Sequence, residues 1–171
     1  MLLPKKVRRK RRTNSSSLLY SKFRIQREFI FDNYFMNEDT IALANDDDEN
    51  LFLDTGTNPL RFRKEKEIDK SKNFYIQPTF WARGPGEVVR RYSGNIGFRT
   101  WPANETIRTT IWNSYKGSEL QVEPNKYYKI WDELKIEKFG NESIILQDNG
   151  SKKYFMMDGP DKILVAKGSR E

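Results

Sequence analysis

Asp148-Asn149-Gly150-Ser151 separates two β-prone runs, Ile144-Ile145-Leu146-Gln147 and Lys153-Tyr154-Phe155-Met156. Asn-Gly between such runs is the strongest short hairpin signal, because a type I′ turn needs φ > 0 at both central residues. The spacing therefore predicts a two-residue antiparallel hairpin. Gly140-Asn141 and Gly159-Pro160 mark turns on either side. The runs Tyr127 to Phe139, Ser143 to Asp148, Lys152 to Met157 and Lys162 to Ala166 then read as a four-strand meander over 127–166.

The same punctuation continues upstream. Asn73 to Gln77, Glu87 to Tyr92, Ile96 to Trp101 and Thr106 to Trp112 are strand-length runs bounded by Gly, Pro, Asn or Ser. Pro78 predicts an edge strand or a strand end, since proline cannot donate to a ladder. Short strands at this spacing predict a mainly β fold. The expected form is a small antiparallel barrel or sandwich of SH3 or OB size over residues 73–171. Neither an internal repeat nor a coiled-coil heptad interrupts the pattern.

The N-terminal part reads differently. Lys5-Lys6-Val7-Arg8-Arg9-Lys10-Arg11-Arg12 holds seven cations and no acid, followed by the polar run Thr13 to Ser17. The chain has 31 Lys+Arg against 24 Asp+Glu, so the arm accounts for the whole net charge of +7. Residues 1–17 are expected as an extended basic arm. Ser17 is placed to cap a short helix with Leu18, Leu19, Phe23 and Ile25 inside, and Phe29-Ile30-Phe31 favours a strand. Asp32 to Asp54 carries eight acids and no Lys or Arg. Residues 18–72 are therefore expected to be a partner-dependent arm and linker, with its acidic run at 32–54.

The function classes narrow by composition. There is no Cys and no His, so disulfide scaffolds, Cys/His zinc sites and His-based nucleophile systems are excluded. Glu133 and Glu137 could be imagined as an acid–base pair, but on a strand their even spacing simply marks one face. The expectation is a non-enzymatic protein with no cofactor and no small-molecule substrate. No apolar run reaches the roughly 20 residues of a bilayer span, so no membrane role is expected. Nor does an apolar segment follow the charged start, as a secretory signal requires. An Arg- and Ser-rich transit peptide is the rival reading of residues 1–27, but the charge is bunched at 5–12.

Lys5, Lys6, Arg8, Arg9, Lys10, Arg11 and Arg12 are the primary candidate site. Such a block neutralises phosphates and releases counterions, giving salt-sensitive binding without sequence preference. A nuclear targeting signal and a solvated tail are the competing readings. A secondary candidate surface comprises Trp81, Arg83, Arg90, Arg91, Tyr92, Phe98, Arg99 and Trp101, where arginines and aromatics interleave as they do around single-stranded nucleic acid. Alternation offers another reading, with Trp81, Val88, Phe98 and Trp101 in the core and the arginines in solvent. Asp46-Asp47-Asp48-Glu49 with Asp54 could attract Ca²⁺ or Mg²⁺, but EF-hand spacing fails and no metal site is expected. Trp81, Trp101, Trp112 and Trp131 suggest a sugar platform, for which core packing or interface anchoring is the simpler account.

Met-Leu-Leu-Pro-Lys-Lys-Val-Arg-Arg-Lys-Arg-Arg at residues 1–12 resembles the start of a bacterial and organellar large-subunit ribosomal protein family. The resemblance ends there, and residues 13–171 do not follow the family's pattern.

The expected role is a structural component of a large assembly, most simply a phage or virus virion protein of the capsid, portal or tail. Its basic arm would contact packaged nucleic acid or an acidic neighbouring subunit. The alternative is a cytoplasmic, ribosome-associated or other RNA-binding protein that uses the arm on ribosomal RNA. Expected partners are other subunits and nucleic acid.

Overall fold

The computed structural model describes residues 19–27, 30–32, 35–36, 39–80, 88–89, 96–109, 122–125, 134–140 and 142–171. Its strands are β1 (Phe23–Arg27), β2 (Ile30–Asp32), β3 (Phe35–Met36), β4 (Ala42–Asn45), β5 (Leu51–Asp54), β6 (Arg61–Lys64), β7 (Tyr75–Phe80) and β8 (Val88–Val89). They continue as β9 (Ile96–Trp101), β10 (Thr106–Thr109), β11 (Val122–Asn125), β12 (Leu134–Phe139), β13 (Ser143–Asp148), β14 (Tyr154–Asp158) and β15 (Ile163–Gly168). One turn of 3₁₀ helix stands at Glu65–Glu67.

The protein is mainly β. All described strands except β3 and β8, which pair with each other, belong to one antiparallel sheet. The order is β11-β10-β9-β12-β13-β14-β15-β6-β5-β4-β1-β2, with β7 on the remaining edge of β9. Phe23 of β1 pairs with Asn45 of β4 on one side and Ile144 of β13 on the other. The neighbours β13-β14-β15-β6-β5-β4-β1 therefore form a closed circuit. Ile41, just before β4, also bridges Ile76 of β7 through backbone bonds of 2.9 and 2.7 Å.

In β1 and β13 of the circuit, and in the adjoining β12 and β9, the side chains that reach the core follow the strand period of two. Phe23 and Ile25, Ile144 and Leu146, Ile96 and Phe98, and Leu134 and Ile136 all join one buried cluster. Phe23 stacks on Phe62 with ring centroids 5.8 Å apart. Burying a Phe, Leu or Ile side chain is worth about 1.5–3 kcal/mol, so this cluster is the main favourable term in folding.

β4 and β5 are buried on both faces. Leu43, Leu51 and Leu53 point into the main cluster, while Ala42, Ala44 and Phe52 meet Ile68 and Phe74 in a smaller outer one. The segment after the 3₁₀ turn thus covers what would otherwise be an exposed apolar face. Pro78 lies inside β7, opposite Phe98 of β9. Ile76 turns its backbone groups toward Ile41, so alternation aims the nitrogen of Pro78 the same way, off the β9 ladder.

Residues 127–166 contain the expected meander as far as they are described, with β12, β13, β14 and β15 as successive neighbours. Gly140 (φ 69°) and Gly159 (φ 71°) occupy the expected turns in the left-handed region.

Three expectations differ from what is found. First, the segment expected as a Ser17-capped helix is extended. Phe23–Arg27 is β1, and Phe23 and Ile25 reach the core at a spacing of two; Ser17 and Leu18 lie outside the described residues. Second, residues 39–72, expected as linker, carry β4, β5 and β6 and share the core with β12–β15. The acids Asp46 to Glu49 sit in the β4–β5 loop, and the apolar runs on either side of them form the strands. Third, Asp148-Asn149-Gly150-Ser151 makes a hairpin, but not a two-residue one. Asp148 and Lys153 close a longer loop, the Asp148 N–H donating to the Lys153 carbonyl at 2.8 Å. The left-handed residue is Lys152 (φ 66°), not Gly150. The Asp148 carboxylate explains this, because it accepts from both the backbone N–H and hydroxyl of Ser151 at 2.8 Å.

Candidate nucleic-acid interface

The chain enters the described part of the structure at residues 19–22, which lie against β14 and the end of β15. Tyr20 N–H donates to the Ser169 carbonyl at 3.1 Å, and Ser21 N–H to the Phe155 carbonyl at 3.1 Å. The Ser21 hydroxyl accepts from Met157 N–H at 2.9 Å. These bonds lay the Tyr20 ring beside Phe139 (5.7 Å between centroids) and Tyr154 (6.2 Å). Gly168 makes room for this approach. A Cβ there would stand 3.0 Å from the Tyr154 carbonyl oxygen and 3.3 Å from Tyr20 Cα.

Arg170 completes the cluster. Its guanidinium carbon lies 5.9 Å from the Tyr20 ring centre and 5.8 Å from that of Tyr154. One nitrogen bonds the Glu137 carboxylate. That bond, and a second to Tyr154, push the Arg170 pKa further above its ordinary value, so its charge is permanent. Lys22 Nζ stands 4.5 Å above Phe139. Rings and cations are thus interleaved on the outer face of the sheet, drawn from both ends of the chain.

Two shallow hollows flank Tyr154. One, of about 460 Å³, runs along β12 past Lys135, Glu137 and Gln147. The other, of about 620 Å³, lies between Ser151-Lys152-Lys153 and Lys167 to Glu171. Lys135, Lys138 and Lys153 are exposed and ion-paired to no described residue. Of the acids nearby, Glu137 is held by Arg170 and Asp158 by Lys167 at 3.0 Å, while Glu171 lines the second hollow. Exposed lysines around fixed rings suit phosphates and bases together.

The arm residues Lys5, Lys6, Arg8, Arg9, Lys10, Arg11 and Arg12 lie outside the described residues. Of the secondary surface, Trp81, Arg83, Arg90, Arg91 and Tyr92 also lie outside them. Phe98 is a core residue at 2% exposure and has no place on a binding surface. Arg99 is half-buried beside Asn104, 3.5 Å from its side-chain oxygen. Trp101 is 42% exposed at the end of β9, in solvent and not in the core. Only Arg99 and Trp101 remain as members of that surface among the described residues, on the same face of β9.

The acidic run is tied into local structure. Glu49 pairs with Arg24, Asp48 accepts from Asn50 N–H at 3.0 Å, and Asp54 is buried against Gly56 N–H at 2.9 Å. No group of three metal-ligating side chains forms among the described residues. A larger hollow of about 810 Å³ beside β6 mixes Lys64, Lys66 and Lys70 with Asp48, Glu65 and Asp69, so its charges offset one another. No helix of the described residues is long and apolar enough to cross a membrane.

Tyr20, Lys135, Phe139, Tyr154 and Arg170 were not singled out by sequence. They are up to 150 positions apart and carry no shared local signal; only Lys152-Lys153 beside the hairpin turn could have drawn the eye. No protein-family model matches the chain, and no curated protein is detectably similar to it.

Proposed function

We propose that this protein is a non-enzymatic component of a large assembly that holds nucleic acid through its basic arm and the adjoining outer face of its β sheet. The closed circuit of strands is read as a small barrel whose outer wall carries the contact. One observation supports this most. The arm's root at Leu19–Lys22 is hydrogen-bonded onto the face that presents Tyr154, Arg170 and exposed lysines. The seven arm cations and the lysines of this face are read as serving the same polyanion.

The setting is read as a virus particle, with the arm directed to packaged genome or an acidic neighbouring subunit. Stoichiometric recovery in purified particles, unaffected by RNase, supports that setting. Co-sedimentation with ribosomal RNA that disappears at high salt would instead favour the ribosomal one, to which residues 1–12 are similar. Recovery in neither rejects the assembly role.

A further inference from the structure

We infer that the two hollows meeting at Tyr154 form a groove for single-stranded nucleic acid, with a base stacked on the Arg170–Tyr154 pair and phosphates on the flanking lysines. This rests on the nucleic-acid reading above and narrows it to one class.

Three features favour a single strand over a duplex. Tyr154 lines both hollows, so a chain crossing from one to the other must pass its ring. Arg170 is held as a plane by Glu137 and two tyrosines, and its side chain remains 43% exposed. Unstacked bases lie on such guanidinium planes and rings, whereas a duplex keeps its bases covered. Finally, the cations are not continuous. Glu137, paired with Arg170, stands between Lys135 and Lys138 along β12, and Lys152 and Lys153 lie beyond the Gln147–Tyr154 row that Lys135 faces. A duplex backbone would lay phosphates over that carboxylate. A single strand can turn its base inward there and keep its phosphates on the lysines.

The test uses the full chain and two fluorescent probes of matched phosphate count, an oligothymidylate and a duplex. Wild type should bind the single strand more tightly. Arg170→Lys keeps the charge and removes the plane; single-strand affinity should fall about tenfold, with duplex affinity and salt slope unchanged. Tyr154→Leu should act likewise, and Tyr154→Phe, which keeps the ring and loses only the bond to Arg170, should weaken binding less than Tyr154→Leu. If Tyr154→Leu does not fold, Arg170→Lys decides the matter alone, since its side chain is exposed. Equal binding of both probes, or an equal weakening on both, overturns this groove and leaves the arm-based function standing. Binding to neither probe overturns both.

Discussion

The backbone N–H of Tyr20 donates to the carbonyl of Ser169 at 3.1 Å, joining the first described residues to the last. The bond exists because Gly168 has no side chain. In Gly168→Ala the new Cβ would press on the Tyr154 carbonyl and Tyr20 Cα, both backbone atoms that cannot swing aside. Overpacking of this kind costs about 1–3 kcal/mol. Urea denaturation should show that destabilisation, and limited proteolysis should cut more readily within residues 19–22. An unchanged cleavage pattern would mean that the Tyr20 segment is held by something other than this approach to Gly168.

Phe23 is fully buried, stacked on Phe62, and lies where β1 touches both β4 and β13. Phe23→Ala should cost about 3–5 kcal/mol, measured as a shift in the denaturation midpoint without a change in slope. A cost near 1 kcal/mol would place the closure of the circuit elsewhere.

The β13–β14 loop separates stability from binding. Asp148→Ala removes the acceptor for two Ser151 donors and should destabilise by about 1–3 kcal/mol. Lys152→Gly should hold or raise stability, by up to about 1 kcal/mol, because glycine carries no penalty at φ 66°. The same variant should lower the salt slope of polyanion binding by about 0.7–0.9, the value for one neutralised phosphate. Reduced stability in Lys152→Gly would contradict the strain argument.

Asp69 provides a pH readout. Hydrogen bonds from the Ser71 hydroxyl and backbone N–H hold its carboxyl below the ordinary carboxylate value. A depressed pKa contributes stability above the unfolded value and loses it as pH falls through the folded one. NMR titration should find Asp69 low, and Ser71→Ala should raise it toward the ordinary value. No change in Ser71→Ala would assign the shift to neighbouring charge instead.

Strand content and the meander were legible in the sequence, because Gly140, Gly159 and the alternation in β12 are local signals. The hairpin was legible but its loop was not. Asp148 recruits Ser151 through its side chain, and that bond outweighs the backbone preference of Asn149-Gly150. Strands β4 and β5 were hidden by their neighbours. Ile41-Ala42-Leu43-Ala44 and Leu51-Phe52-Leu53 are short, do not alternate, and stand among acids, so charge counting read them as linker. They are buried on both faces, which removes the alternation that marks a strand. The Tyr20–Arg170–Tyr154 cluster could not be read at all, since only tertiary pairing across the chain termini assembles it.

The most direct measurement is the salt dependence of binding to a single-stranded oligonucleotide. It compares the full chain, a variant with the seven arm cations changed to Gln, and a variant with Lys135, Lys138 and Lys153 changed to Gln. A polyanion shared by arm and face requires both variants to flatten the slope of log K against log[salt]. The decrease should be roughly 0.7 for each phosphate no longer neutralised, at most about 5 for the arm and about 2 for the face. A slope that falls only for the arm variant would show that the β face takes no part. A slope unchanged in both would remove nucleic acid as the partner.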